Sequence, residues 1–217
     1  DIGFELGLFA NRLNFDISYY YKKTTDLLLD CPVPHSTGFQ TQYKNIGSVR
    51  NQGLDMMITG YPIRNKDLTW QMSLNMNYNS NEILHLGEND EDIEMLGWVG
   101  GSEAILRVGK SMGSFYGYKR YGVWTTEDYD AGKCKLSQVG RPHRSETKEI
   151  LGKGLPDWTG DFSNTIHYKG FDFTMDWQFV MGVQTMQQFY HPTYDRFGIT
   201  NGLKNILYDA YDGTNPG

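Results

Sequence analysis

A chain of 217 residues with a formal net charge of −6, 39% apolar and 14% aromatic residues has room for one large all-β domain or two small ones. It lacks the cationic excess that neutralises phosphates, so a nucleic-acid partner is excluded. No apolar run reaches the ~20 residues a transmembrane helix needs, so only strands could carry this chain across a bilayer. Opening at Asp1 without a charged-then-apolar leader, the sequence reads as an intracellular protein or as an internal piece of a longer one. Cys31 and Cys134 fit either a disulfide of an oxidising compartment or two unpaired thiols.

In chain order, the first signal is period-two alternation. Ile2, Phe4, Leu6 and Leu8 alternate with Gly3, Glu5 and Gly7; after Ala10-Asn11-Arg12, Leu13, Phe15, Ile17, Tyr19 and Tyr21 alternate with Asn14, Asp16, Ser18 and Lys22. Side chains on a strand alternate faces, so two such runs joined by a short link predict a hairpin over about 2–22. A second hairpin is predicted over about 52–80. Leu54, Met56 and Ile58 lead through Arg64-Asn65-Lys66-Asp67 into Leu68, Trp70, Met72, Leu74, Met76 and Tyr78. A third spans about 158–182, turning at Lys169-Gly170, with Asn164 as the one polar residue on its apolar side.

Between the hairpins lie long, irregular, Gly- and aromatic-rich connections over about 31–51, 82–157 and 183–217. Connections of such length are uncommon in compact domains unless they carry function. Strict alternation of short turns with long connections is the layout of an outer-membrane barrel, whose ~10-residue strands alternate apolar-out and polar-in. The polar faces carry Glu5, Asp16, Asp55, Asp161, Asp172 and Asp176, while no lysine or arginine falls mid-strand on an apolar face. The fold expected is therefore all-β, an antiparallel meander of hairpins forming part of a large transmembrane β-barrel with long extracellular loops. Three hairpins cannot close a barrel, because open edges in lipid would leave backbone groups unpaired, so the segment must be partial. The alternative is a soluble β-sandwich carbohydrate-binding module, whose strands alternate in the same way.

Four stretches resemble a known family. NIGSVRNQGLDMMITG (45–60) is similar to the N-x-G-x-x-x-N-x-G-apolar-acidic signature of SusC/RagA-type TonB-dependent outer-membrane transporters. FANRLNFDISYYYKKTTDLLL (9–29), RVGKSMGSFYGYKRYGVWTTED (107–128) and GLPDWTGDFSNTIHYKGFDFTM (154–175) resemble further motifs of that family, in the family's order. One segment departs: VGRPHRSETKEILGKG (139–154) is short and more basic where the family carries an acidic, Gly-rich stretch. The resemblance implies a late barrel segment lacking plug and final strands, located in the cell outer membrane and in contact with its lipid. It further implies import of oligosaccharides or peptides under a SusD-like surface lipoprotein, with energy delivered by TonB to the missing plug domain.

No chemistry of an enzyme emerges. The histidines are scattered without metal-ligand spacing, and no nucleophile elbow or phosphate loop is present. Neither a catalytic residue, a metal nor a cofactor is expected. Asp128-x-Asp130-x-Gly132 echoes the start of a calcium loop but lacks the remaining ligands. Aromatic residues beside polar groups suit sugar rings, whose C–H faces stack while the hydroxyls hydrogen-bond. This makes Trp98, Tyr116, Trp124 and Tyr129 the candidate substrate-binding residues. Tyr116 and Trp124 fall inside the third motif, where packing of the loop competes with ligand contact; Trp98 and Tyr129 lie outside it. The overall negative charge weighs against anionic polysaccharides.

Overall fold

A computed structural model describes every residue except 34, 40, 88, 98–101, 188–201, 210 and 212–217. The chain divides into two units, 1–114 with 152–184 and 115–151 with 185–217. The first unit is built on β1 (Ile2–Leu8), β2 (Leu13–Pro32), β3 (Thr41–Arg64), β4 (Leu68–Leu86), β11 (Trp158–Tyr168) and β12 (Phe171–Met181), hydrogen-bonded in that order in one antiparallel sheet. Between β4 and β11 the chain forms β5 (Ile93–Leu96), β6 (Ser102–Leu106), β7 (Ser114–Gly117), β8 (Arg120–Val123), α1 (Thr126–Asp130), β9 (Pro142–Arg144) and β10 (Glu149–Lys153). A short helix, α2 (Ile206–Asp209), follows β12.

The register aligns the predicted apolar positions, Tyr21 apart, into rows across the sheet. Leu6, Phe15, Ile58, Leu74, Phe162 and Trp177 form one such row, and Tyr19, Leu54, Tyr78, Trp158 and Met181 another. From Phe171 to Met181 the apolar face of β12 covers ten residue steps, about 33 Å at ~3.3 Å each. A strand tilt of ~40° reduces that to about 25 Å, the height of the lipid-facing band of an outer-membrane barrel. Aromatic residues edge the band, with Tyr168 and Phe171 at one end and Tyr19, Tyr78 and Trp158 at the other. Tyr78 and Trp158 pack ring against ring at 4.8 Å. Two steps farther along the same face, Arg50 and Glu82 form an ion pair, so charge returns where the apolar rows stop.

Asn164, the one polar residue in the rows, is buried, and its Oδ1 accepts the indole N–H of Trp70 at 3.3 Å. A carboxamide among apolar neighbours costs free energy unless it is bonded, and the cross-strand tryptophan supplies the bond. The three turns predicted at 10–12, 64–67 and 169–170 all lie at one end of the sheet, and the chain leaves β2 and β4 for the next strand of the sheet at the other.

Two expected boundaries move. The pairing of β2 with β3 continues to Pro32 and Thr41, so the connection expected over 31–51 shrinks to 33–40. Register shifts between Thr24 and Leu28, with Asp26 at φ 59°, break the period-two pattern there and hide the strand from it. The described residues of 82–157 are likewise folded, into short strands, turns and helical turns. Its first residues continue β4, and Val49, Ile83, Leu86 and Leu106 form a small core with Leu27 and Ile93 packed against it. Much of 183–217 lies outside the described residues.

Candidate functional site

The polar face of the six-stranded sheet is a hydrogen-bonded lattice of carboxylates and amides. Asn75 donates to Asp161 at 2.9 Å, Asn77 donates to Asp55, and Thr59 and Ser73 hydroxyls meet at 3.5 Å. Asp16, Ser18, Asp55, Asn75, Asn77 and Asp161 contribute to the lining of a recess of about 330 Å³ on this face. In a low-dielectric wall these bonds fix the side chains and leave the remaining lone pairs toward the aqueous side.

The family-like motif at 45–60 acquires a physical reason here. A Cβ at Gly53 would stand 2.1 Å from the Tyr78 carbonyl oxygen and 2.5 Å from the Tyr20 ring. Only glycine lets Tyr20 lie across its cross-strand partner and donate its hydroxyl to Asn79 at 2.9 Å. Asn51 accepts from Asn81 at 2.8 Å, and Asp55 is the acceptor for Asn77. Gly160 repeats the device on the apolar face, where the Phe179 ring covers the vacant Cβ position.

Of the four aromatic candidates, Trp98 lies outside the described residues. The other three lie apart along the second unit, in β7, after β8 and in α1. Tyr116 is half-buried in β7 with the Lys148 ammonium 5.6 Å from its ring centroid. Trp124 follows β8, its indole stacked on the His143 imidazole at 3.7 Å and 23°, so one ring face is already covered. Tyr129 is exposed on α1. The same unit brings Tyr121 to within 5.1 Å of His143 and sets the Arg144 guanidinium 4.5 Å over Tyr118. His143 and Arg144 were missed as partners of these rings because about twenty residues of intervening chain separate β8 from β9.

Asp128, which sequence spacing placed at the start of a calcium-like loop, instead caps α1. Its amide donates to Thr125 Oγ1 at 3.2 Å, its carboxylate accepts from the Thr125 amide at 3.3 Å and hydroxyl at 3.1 Å, and Lys133 Nζ donates to it at 3.1 Å. Lys133 first, then the Thr125 groups, hold the Asp128 carboxyl below its ordinary pKa, against the opposing effect of burial. Burial, and the Asp128 carboxylate after it, push the free Cys134 thiol upward.

The sequence matches a family model described as "TonB dependent receptor-like, beta-barrel" over residues 1–134. "TonB-dependent receptor P26" of Formosa agariphila is 35% identical over 195 residues, covering 84% of this chain and 20% of the relative. "TonB-dependent receptor SusC" of Bacteroides thetaiotaomicron is 31% identical over 185 residues, covering 79% of this chain and 18% of the relative. Among solved structures, the "RagAB peptide transporter" matches 99% of this chain and 24% of its own with a TM-score of 0.77 at 26% identity. The chain thus spans about a quarter or less of the proteins it resembles, which accounts for a sheet with free edges at β1 and β12. Taking the banded wall, its one-ended turns and these matches together, the chain belongs to the TonB-dependent receptor β-barrel family, as a segment of a SusC/RagA-type barrel of the outer membrane.

Proposed function

We propose that the full-length protein is a TonB-dependent importer of oligosaccharides, to which this chain contributes barrel wall and extracellular loops. The observation that carries the reading is the wall itself. It has an apolar band of membrane height on one face, a hydrogen-bonded carboxylate and amide lattice on the other, and its short turns all at one end. Such a wall supplies a passage and no bond-breaking chemistry, so energy must enter through a plug domain contacted by TonB. A SusD-like surface lipoprotein would cover the loop end. Exposed Tyr118, Tyr121 and Tyr129 in the outer connection suit sugar rings. A peptide cargo is the second reading, favoured by the likeness to the RagAB peptide transporter.

The test is uptake by cells carrying the full-length gene, with labelled oligosaccharide and labelled peptide mixtures supplied separately. Expected is accumulation of oligosaccharide that stops when TonB is removed. Accumulation of peptide alone would establish the second reading. Uptake of neither, or uptake indifferent to TonB, would overturn import.

A further inference from the structure

Arg120 of β8 and Arg144 of β9 are direct cross-strand partners. Like charges placed opposite each other on an antiparallel pair destabilise it, so this pairing needs a reason. Lys119 adjoins Arg120, Arg141 stands at the other end of the strand pair beside Trp124, and all four side chains are exposed. Among the described residues none of the four is ion-paired with a carboxylate. The fold nevertheless holds them together. Lys119 N donates to Ser145 Oγ at 3.0 Å, and Ser145 N returns a bond to the Lys119 carbonyl at 2.9 Å. A register shift between Arg120 and Gly122, with Gly122 at φ 130°, lets the Arg120 guanidinium reach back to the Gly122 carbonyl at 3.4 Å.

Each cationic side also has a tyrosine. The Arg144 guanidinium lies 4.5 Å over the Tyr118 ring, and the Lys119 ammonium 5.8 Å from that of Tyr121. Both rings remain partly open to solvent, at 41% and 56% exposure. An anion between two guanidiniums converts their repulsion into paired, fork-like hydrogen bonds, which suit the planar carboxylate and the sulfate group. A tyrosine at the same place offers its ring to the C–H face of a sugar.

We infer that the β8–β9 sheet is a binding site for an oligosaccharide bearing sulfate or uronate groups, held by Arg120 and Arg144 with Tyr118 beside them. This rests on the oligosaccharide reading above and narrows it. The chain's net charge of −6, which taken alone weighs against an anionic polysaccharide, does not decide the matter. Exposed charges are screened within about 8 Å at physiological salt, so the local set of cations decides.

The test uses the full-length protein in detergent micelles, titrated with size-matched dextran, dextran sulfate and oligogalacturonate, and with polyglutamate and lipopolysaccharide. Expected is binding of dextran sulfate or oligogalacturonate about tenfold or more tighter than dextran, weakening as salt is raised. Arg120→Gln and Arg144→Gln should each lose about tenfold of that preference and the double variant all of it, with Arg144→Lys retaining part. Equal affinity for dextran and its sulfate would overturn the site without any variant. So would a double variant that keeps the preference, or tighter binding of polyglutamate or lipopolysaccharide than of either acidic sugar. Loss of TonB-dependent uptake with the preference intact would strike the import reading and leave this site standing.

Discussion

Trp177 and Gln178 are adjacent in β12, yet one lies in the apolar rows and the other opposite Asp161 on the polar face. Placing an arginine at each separates the effect of face from that of depth. The apolar face of β12 runs from Phe171 to Met181, so its midpoint falls between Met175 and Trp177. At ~3.3 Å per residue and ~40° of tilt, Trp177 stands about 2.5 Å from the bilayer midplane and the band's ends about 13 Å from it. An arginine on the lipid face costs about 2–4 kcal/mol at the midplane and about 0–1 near the interfaces. Trp177 is 61% exposed within this sheet, so little protein packing is lost with it and transfer of charge dominates. Trp177→Arg should therefore cost about 3 kcal/mol, about a hundredfold in the folded ratio. Gln178→Arg should cost close to nothing, because it meets water and the Asp161 carboxylate. Refolding of the full-length protein into vesicles across a urea series, read by the heat-dependent gel shift of a closed barrel, measures both. An arginine scan of Phe171, Phe173, Met175, Trp177, Phe179 and Met181 should give a cost that rises to the middle pair and falls at both ends. A flat scan, or a Gln178→Arg cost equal to that of Trp177→Arg, would refute the assignment of faces.

Three further outcomes follow from single contacts. Gly53→Ala should destabilise by about 1–3 kcal/mol in the same series. Tyr20→Ala should not rescue it, since the Tyr78 carbonyl 2.1 Å from the new Cβ is backbone and stays in place. Asn164→Leu should cost about 1–3 kcal/mol by orphaning the Trp70 indole N–H, and adding Trp70→Phe should return most of that loss; additive costs in the double variant would count against the pairing. Asp90 accepts the Leu86 amide at 2.7 Å, and that bond, more than His85, lowers its carboxyl below the ordinary 3.8 in spite of some desolvation. A depressed acid stabilises above its unfolded pKa and loses the effect as pH falls through the folded value. Protection of the Leu86 amide, taken relative to its intrinsic exchange rate at each pH, should thus hold at pH 5 and fall in the acid range below about 3.8, whereas Asp90→Asn should remove that pH dependence.

The barrel strands were legible because a two-sided wall leaves a two-residue period in the chain, and nothing in Leu68–Tyr78 interrupts it. Asn164 looked like a fault in that pattern. Its explanation sits on Trp70, 94 residues earlier, and only strand pairing brings the two together. The ends of β2 and β3 were hidden by their bulges, which move successive side chains off the expected face. The strands β5 to β10 run only three to five residues each, too short for any period to be read. The candidate site suffered most. Sequence could mark Tyr116, Trp124 and Tyr129 as aromatic loop residues, but His143 covering Trp124 and Arg144 facing Arg120 are products of a loop that folds back on itself.

Average charge was the least informative quantity, and the structure explains why. Glu5, Asp16, Asp55, Asp161 and Asp176 all stand on the polar face of the wall, where lysine and arginine enter the paired rows between the tyrosine edges only at Arg64, opposite Thr69 beside the turn. Residues 115–151 carry seven Lys and Arg against five Asp and Glu. One number, −6, therefore sums an acidic wall and a mildly basic segment over 115–151. On the wall, carboxylates are set by amide donors one strand away. In 115–151, cations are set by tyrosines and by an opposing arginine, an arrangement that an incoming anion stabilises. Selectivity for charge would then belong to the loops and permeation to the wall, so exchanging 115–151 between two related barrels should move the preference for acidic sugars with the segment and leave barrel stability where it was.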